Sequence, residues 1–141
     1  MNLITAMDVN ATGLAAERKR VEVSAANLAN SQTTRTEQGG PYRRQQVVFQ
    51  TTSFKEALGQ VGGDDLHGVE VSQVVDDPTP FDKRFEPGHP DADKDGYVMY
   101  PNVNPMVEMA GMMDASSSYQ ANISAISIIK TMINRTLEIG K

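Results

Sequence analysis

Apolar residues recur at three- and four-residue spacing at both ends of this chain and lose that period in between. Ile4, Met7, Ala11, Leu14, Val21, Ala25 and Leu28 form one stripe, interrupted at Arg18. Met109, Met112, Tyr119, Ile123, Ile126, Ile133 and Leu137 form a second, interrupted at Ser116 and Lys130. Such spacing is that of a coiled-coil seam. The first stripe predicts a helix of about 28 residues and about 42 Å, ending near Asn30, where Asn30, Ser31, Gln32, Thr33 and Thr34 favour turns. The second predicts a helix of roughly 35 residues and about 52 Å. Asn104 caps it, Pro105 fits its first position, and Gly140 stops it after Ile139. Met113, Ile129 and Met132 widen its apolar face, which suits a helix touching more than one neighbour. Gly13 costs the first helix about 1 kcal/mol relative to alanine, which marks either the close approach of another helix or simple tolerance.

The middle reads differently. Tyr42 to Phe49 predicts a strand, and Val69, Val71 and Val74 alternate with polar residues as a half-buried strand does. Gly59, Gly62 and Gly63 punctuate the loop between them. A second strand pair is expected at Phe81 to Phe85 and Tyr97 to Tyr100, joined by the loop from Glu86 to Gly96. Six of the seven prolines fall between positions 78 and 105, which excludes a long helix there. The expected fold class is therefore α+β. Long N- and C-terminal helices, residues 1–32 and 102–141, form one elongated coiled-coil region, antiparallel if they pair within one chain, around a β-rich, loop-rich insert at 33–101.

Composition sharpens this picture. Only 39% of the 141 residues are apolar, 6% are aromatic and none is Trp, so the segments must find burial by pairing along their lengths. Charge is uneven: between Asp64 and Gly96 ten acidic residues face only Lys83, Arg84 and Lys94. Arg18-Lys19-Arg20 is too short a basic run for nucleic-acid binding. The absence of cysteine excludes disulfides, thiolate metal sites and cysteine nucleophiles. Thr5, Asp8, Asn10 and Thr12 break up any apolar signal-peptide region, and no apolar run approaches the length of a membrane span. A membrane-surface helix is disfavoured by mixed charge and the lack of aromatic anchors. If the chain leaves the cytoplasm, it needs a route without a cleavable signal.

Candidate chemistry is thin. Asp91-Ala92-Asp93-Lys94-Asp95-Gly96 reproduces the opening of a calcium loop, yet Asn102 stands where a bidentate glutamate belongs, and Pro90 and Pro101 stand where helices should. An acidic turn into the strand at Tyr97 is the preferred reading. His67 and His89 lie in Gly- or Pro-rich loops without ligand spacing. Asp64-Asp65 and Asp76-Asp77 read as solvated loop acids. No catalytic, cofactor-binding or metal residue is assigned, no cofactor or small-molecule substrate is implied, and the chain is not expected to be an enzyme. Arg18 and Lys130 either fix the alignment of the seams or lie with stems on the apolar face and heads in solvent. Met106, Met109, Met112 and Met113, crowded into two helical turns, suit either ordinary packing or inequivalent neighbours.

Several segments resemble the bacterial flagellar rod and hook proteins. Gly13-Leu14-Ala15-Ala16, Arg20-Val21 and Ala26-Asn27-Leu28-Ala29-Asn30 resemble the group's N-terminal signature. The run from Pro41 to Phe49, Gly88 to Asp93, Gly96-Tyr97-Val98 and Pro101 to Asn104 look like the short proximal-rod type. Ser118-Tyr119-Gln120-Ala121-Asn122-Ile123 and Leu137-Glu138-Ile139-Gly140 complete the match. The resemblance implies a structural subunit of the basal-body rod, spanning the periplasm and transmitting torque. It further implies export through the flagellar type III apparatus without a cleaved signal, and contacts with other rod proteins and copies of itself. The terminal helices would pack into a helical tube. The expected assembly interface is Ile4, Met7, Leu14, Arg18, Val21, Asn27, Leu28, Asn30, Met109, Met112, Tyr119, Asn122, Ile123, Ile126, Lys130, Ile133 and Leu137. Leu14, Val21, Leu28, Ile123, Ile126, Ile133 and Leu137 are expected to carry most of the helix contacts. The competing reading is a soluble calcium- or peptide-binding module using the acidic insert.

Overall fold

The computed structural model describes residues 3–53 and 67–139. Gly59, Gly62, Gly63, Asp64-Asp65 and the stop at Gly140 lie outside the described residues. In chain order the elements are α1 (Leu3–Ala29), β1 (Gln45–Ser53), β2 (His67–Asp76), β3 (Asp82–Phe85), β4 (Tyr97–Tyr100) and α2 (Pro105–Ile139). The strands form two antiparallel two-stranded sheets, β1–β2 and β3–β4. This is the expected α+β arrangement of two long helices around a small sheet insert.

Local chemistry sets the helix ends. Asn30 and Ser31 donate their N–H groups back to the carbonyls of Ala26 and Leu28, and the Asn30 side-chain amide reaches the same Ala26 carbonyl. That side chain and the turn through Thr33 absorb carbonyls that a helix terminus leaves orphaned. Asn104 caps α2 as predicted: its Oδ1 accepts the Met106 N–H at 3.0 Å, with Pro105 between them.

Strand β1 starts at Gln45, three residues later than the apolar run suggests. Tyr42 donates its N–H to the Thr33 carbonyl and Arg44 donates its N–H to Asn102 Oδ1, so these backbone groups serve the connection from α1. β1 pairs with β2 from Gln45↔Asp76 to Ser53↔His67, with a bulge between Val48 and Phe49. In the second sheet Val98 is fully buried on one face, while Lys83, Phe85, Tyr97 and Met99 share the other and are exposed. Gly96 closes the approach to β4 at φ +82°, and a Cβ there would lie 2.9 Å from the Phe85 ring. Only glycine suits both demands.

The helices run antiparallel, joined by pairs of residues far apart in sequence. Asn122 covers Gly13, whose added Cβ would sit 3.1 Å from its Nδ2. Arg20 reaches Asp114 at 2.9 Å, Gly111 lies over Ser24, and Asn27 bonds Glu108. Among the described residues the buried apolar side chains are Ala16, Val23, Val98 and Ala115. Small and polar residues thus carry the contact within the chain, because they let two backbones approach closely. Leu14, Val21, Leu28, Ile126 and Ile133 are only half-buried, and Ile123 and Leu137 are exposed. Gly13 marks close approach rather than tolerance.

Candidate functional site

Two regions stand out: a polar knot where both helices and three of the four strands converge, and the helix faces that the knot leaves outward. The knot centres on Asn27, 1% exposed, near the end of α1. Its Nδ2 donates to the Gln45 carbonyl at 2.8 Å and to Glu108 Oε2 at 3.1 Å; its Oδ1 accepts the Tyr42 hydroxyl at 3.0 Å and the Gln45 N–H at 2.9 Å. All four hydrogen-bonding positions of the amide are filled.

Glu108, in the first turn of α2 and 2% exposed, accepts Arg44 Nε at 2.6 Å through its other oxygen. The same guanidinium donates to Asp77 Oδ2 at 3.0 Å. Asp77, one residue past β2, also accepts Gln46 Nε2 and both the hydroxyl and the N–H of Thr79. Asn102, just after β4, donates to the carbonyls of Asp77 and Thr79. One continuous network therefore ties the end of α1, the start of β1, the end of β2, the end of β4 and the start of α2. Removing its charged members singly costs more than pairing them contributes, because burial penalises an unpartnered charge.

Electrostatics follow from this geometry. The Thr79 hydroxyl, then its N–H, then Arg44 and Gln46, hold the Asp77 carboxyl far below the ordinary carboxylate range. For Arg44 burial acts against the charge, yet the bonds to Glu108 and Asp77 win and raise its pKa. Burial first, then the charges of Asp76 and Glu108, push the Tyr42 hydroxyl up. A carboxyl depressed in the folded state adds stability that is complete above its unfolded value, about pH 4, and fades as pH falls below it. Unfolding midpoints taken from pH 6 to pH 2 should therefore decline through the acid limb. Asp77→Asn should start lower and flatten that decline. An unchanged slope would mean that Asp77 is not the responsible group.

The predicted interface residues separate into groups. Asn27 is spent inside the chain, since an amide with all its bonds intramolecular has none to offer a neighbour. Asn122 packs on Gly13, and Asn30 serves the local turn. Arg18 has a side chain 75% exposed that pairs with Glu22 one turn on, which places its head in solvent within the single chain. The cation at the helix–helix contact is Arg20, between Glu17 and Asp114. The remaining stripe residues of α1 occupy a third face. Its second face carries Gly13, Arg20 and Asn27 toward α2; its first, with Thr12, Ala15, Ala16 and Lys19, borders Val69 to Val71 of β2. Ile4, Ala11 and Arg18 are exposed there, and Met7, Leu14, Val21, Ala25 and Leu28 are half-covered. On α2, Met112, Tyr119, Ile126 and Ile133 are half-buried edge residues, while Met109, Ile123, Lys130 and Leu137 lie outside. Met106 and Met113 point still further out, at 73% and 74% exposure.

The acidic loop does not gather around a common centre. Asp91 accepts the Thr34 hydroxyl at 2.8 Å and faces Arg35, whereas Asp93 accepts the N–H groups of Asp95 and Tyr97 and so caps its own turn. Among the described residues no three acidic or histidine side chains cluster as a metal site, and no helix is long and apolar enough to cross a membrane.

The knot escapes sequence reasoning because Asn27, Arg44, Asp77, Asn102 and Glu108 are scattered along the chain. A signal was nevertheless present in part. Asn27 lies in the Ala-Asn-Leu-Ala-Asn run, and Asn102 in the Pro101 to Asn104 segment.

Comparison with known proteins gives consistent matches. Residues 7–35 match the family model described as flagella basal body rod protein, and residues 94–139 match that of the flagellar basal body rod FlgEFG protein C-terminal. The flagellar basal-body rod protein FlgC of Salmonella typhimurium is 43% identical over the full length of both chains. That of Bacillus subtilis is 38% identical, again over all of both. The FlgC of Borreliella burgdorferi is 36% identical, covering 99% of this chain and 98% of its own.

Proposed function

This chain belongs to the flagellar basal-body rod proteins of the FlgC type and is a structural subunit of that rod, and from that premise we propose that its outward helix stripes are the faces through which it is built into the assembly. The observation that carries this is the division of labour on α1. The polar and small residues join the chain to itself, and the apolar stripe lies on a third face, where Ile4 and Ala11 are exposed and Met7, Leu14, Val21, Ala25 and Leu28 stay half-covered. Apolar surface left open in a subunit gains stability when a neighbour removes it from water, at about 25 cal/mol per Å².

In this reading the terminal helices, residues 1–32 and 102–141, make the tube, and the insert at 33–101 sits on it at an angle set by the polar knot. A rigid knot lets torque pass between insert and helices without slack. The other rod proteins and copies of the chain itself are the partners. The rod spans the periplasm, and the chain reaches it through the flagellar type III export apparatus without a cleaved signal. Its task is mechanical and needs no bound cofactor. The calcium-binding alternative draws no support from an acidic loop whose carboxylates turn to separate partners.

Expression of the full chain in cells lacking their own copy tests this. It should be recovered from purified basal bodies with its N-terminus intact, and swimming should return. Recovery in the soluble fraction alone, with basal bodies and swimming complete without it, would reject the reading.

A further inference from the structure

Resting on the rod reading above, we infer that the open edge of β1 is a separate contact of the subunit, which receives an extended, acidic segment of another rod protein as an added strand. The hydrogen bonds of the sheet fix which groups are open. Asn27 takes the N–H and the C=O of Gln45, at 2.9 and 2.8 Å, so both groups of Gln45 point away from β2. Strand residues alternate in this respect, which turns Val47, Phe49 and Thr51 the same way. A second contact agrees independently. Thr51 stands opposite Val69, and the Val69 N–H leaves the ladder for the Thr12 hydroxyl at 3.2 Å, as in a pair that exchanges no ladder bonds.

The bulge does not interrupt this edge. Val48 pairs with Gln73 and Phe49 with Val71, so the extra residue is Ser72 on β2, and β1 runs on without a break. Among the described residues, no other element bonds the outward N–H and C=O groups of Val47, Phe49 and Thr51.

Natural sheet edges are blunted by charge, proline, a bulge or a cover. The outward edge of β2 has Thr12 over it, and β3 carries Asp82, Lys83 and Arg84. β1 has neither charge nor proline over its nine residues, and Asn27 covers only its first outward pair. That amide shows what fits the rest. It carries the donor and the acceptor of a peptide unit, and it binds Gln45 as one residue of a neighbouring strand would.

A cleft of about 200 Å³ continues from that pair, lined by Val23, Val47 and Phe49 together with Arg20, Arg44 and Glu108. A strand added to β1 lies along its rim and sends alternate side chains into it. Val23, Val47 and Phe49 suit an apolar side chain. The reachable charge is positive, because Arg20 and Arg44 are partly exposed while Glu108 is buried. Charge complementarity therefore asks for an acidic residue on the incoming segment. A second copy does not offer one among its described strands. β1 and β4 are uncharged, β3 is net positive, and β2 is closed at Val69 by Thr12.

Thr51→Pro removes one outward N–H and leaves the β1–β2 ladder its bonds, since proline is tolerated on an edge whose N–H faces solvent. The isolated chain should keep its unfolding midpoint. Incorporation into basal bodies should fall at least about fivefold, the scale of one lost hydrogen bond. Normal incorporation would overturn the inference.

A second measurement leaves the edge intact. A photoreactive benzoylphenylalanine in place of Gln50, whose side chain is exposed, should link in basal bodies to a peptide of another rod protein that contains Asp or Glu. Linkage only within the chain, to a second copy or to a peptide without an acidic residue would overturn the inference while leaving the rod assignment intact. So would the lack of any link in basal bodies that contain the chain. Absence of the unmodified chain from basal bodies would instead reject the functional reading beneath it.

Discussion

Arg44→Ala is expected to destabilise the folded chain by about 3 kcal/mol or more, the scale for breaking a buried ion pair by removing one partner. The variant leaves Glu108, 2% exposed, with Asn27 as its one remaining donor among the described residues. It also takes from Asp77 a bond of 3.0 Å. Against a total stability of about 5–15 kcal/mol for an ordinary domain, that loss is large. Arg44→Lys should recover part of it but not all. Nε holds Glu108 while a terminal nitrogen holds Asp77, and a single ammonium cannot reproduce that fork. Denaturant midpoints of the purified chain measure the effect directly. A shift under about 0.5 kcal/mol, the range of an ordinary surface change, would show that the knot does not hold the insert to the helices. The effect should extend to assembly, since a helix pair no longer fixed to its sheets presents its stripes in the wrong direction.

Ile123→Glu should have the opposite signature. Ile123 is 39% exposed and takes no part in the polar knot, so the isolated chain should keep its unfolding midpoint within about 0.5 kcal/mol. Incorporation into basal bodies, and with it swimming, should be lost. A carboxylate buried at an interface without a partner costs several kcal/mol. Near-normal incorporation would place the working face of α2 elsewhere, and Met106 and Met113, the most exposed large apolar side chains among the described residues of that helix, would be the next to examine.

The elements were largely legible in the sequence, and for identifiable reasons. The cap at Asn104-Pro105, the turn after Asn30, the loop from Glu86 to Gly96 and the paired strands around it are written in local chemistry, which needs no knowledge of distant residues. The strand-like character of Tyr42 predicts β1 three residues too early, because the Tyr42 hydroxyl and N–H are used by Asn27 and Thr33. That competition is a long-range fact. Heptad counting leaves open whether Arg18 fixes the alignment of a seam or lies with its head in solvent. Counting fixes which residues share a face, but not what the face meets.

The sequence by itself determined two amphipathic helices, a proline-punctuated β insert, and a family signature spread across nearly the whole chain, because period, caps and turns act over a few residues. Only the tertiary structure decided which helix faces the chain uses for itself. Its internal contact is made by Gly13, Arg20, Ser24 and Asn27 against Asn122, Asp114, Gly111 and Glu108. Small and polar residues of that kind leave no hydrophobic period to read, and they are favoured there by close approach and by hydrogen bonds whose partners are far apart in sequence. The apolar stripes lie beside that contact, half-covered at Leu14, Val21, Leu28, Ile126 and Ile133 and exposed at Ile4, Met109, Ile123 and Leu137.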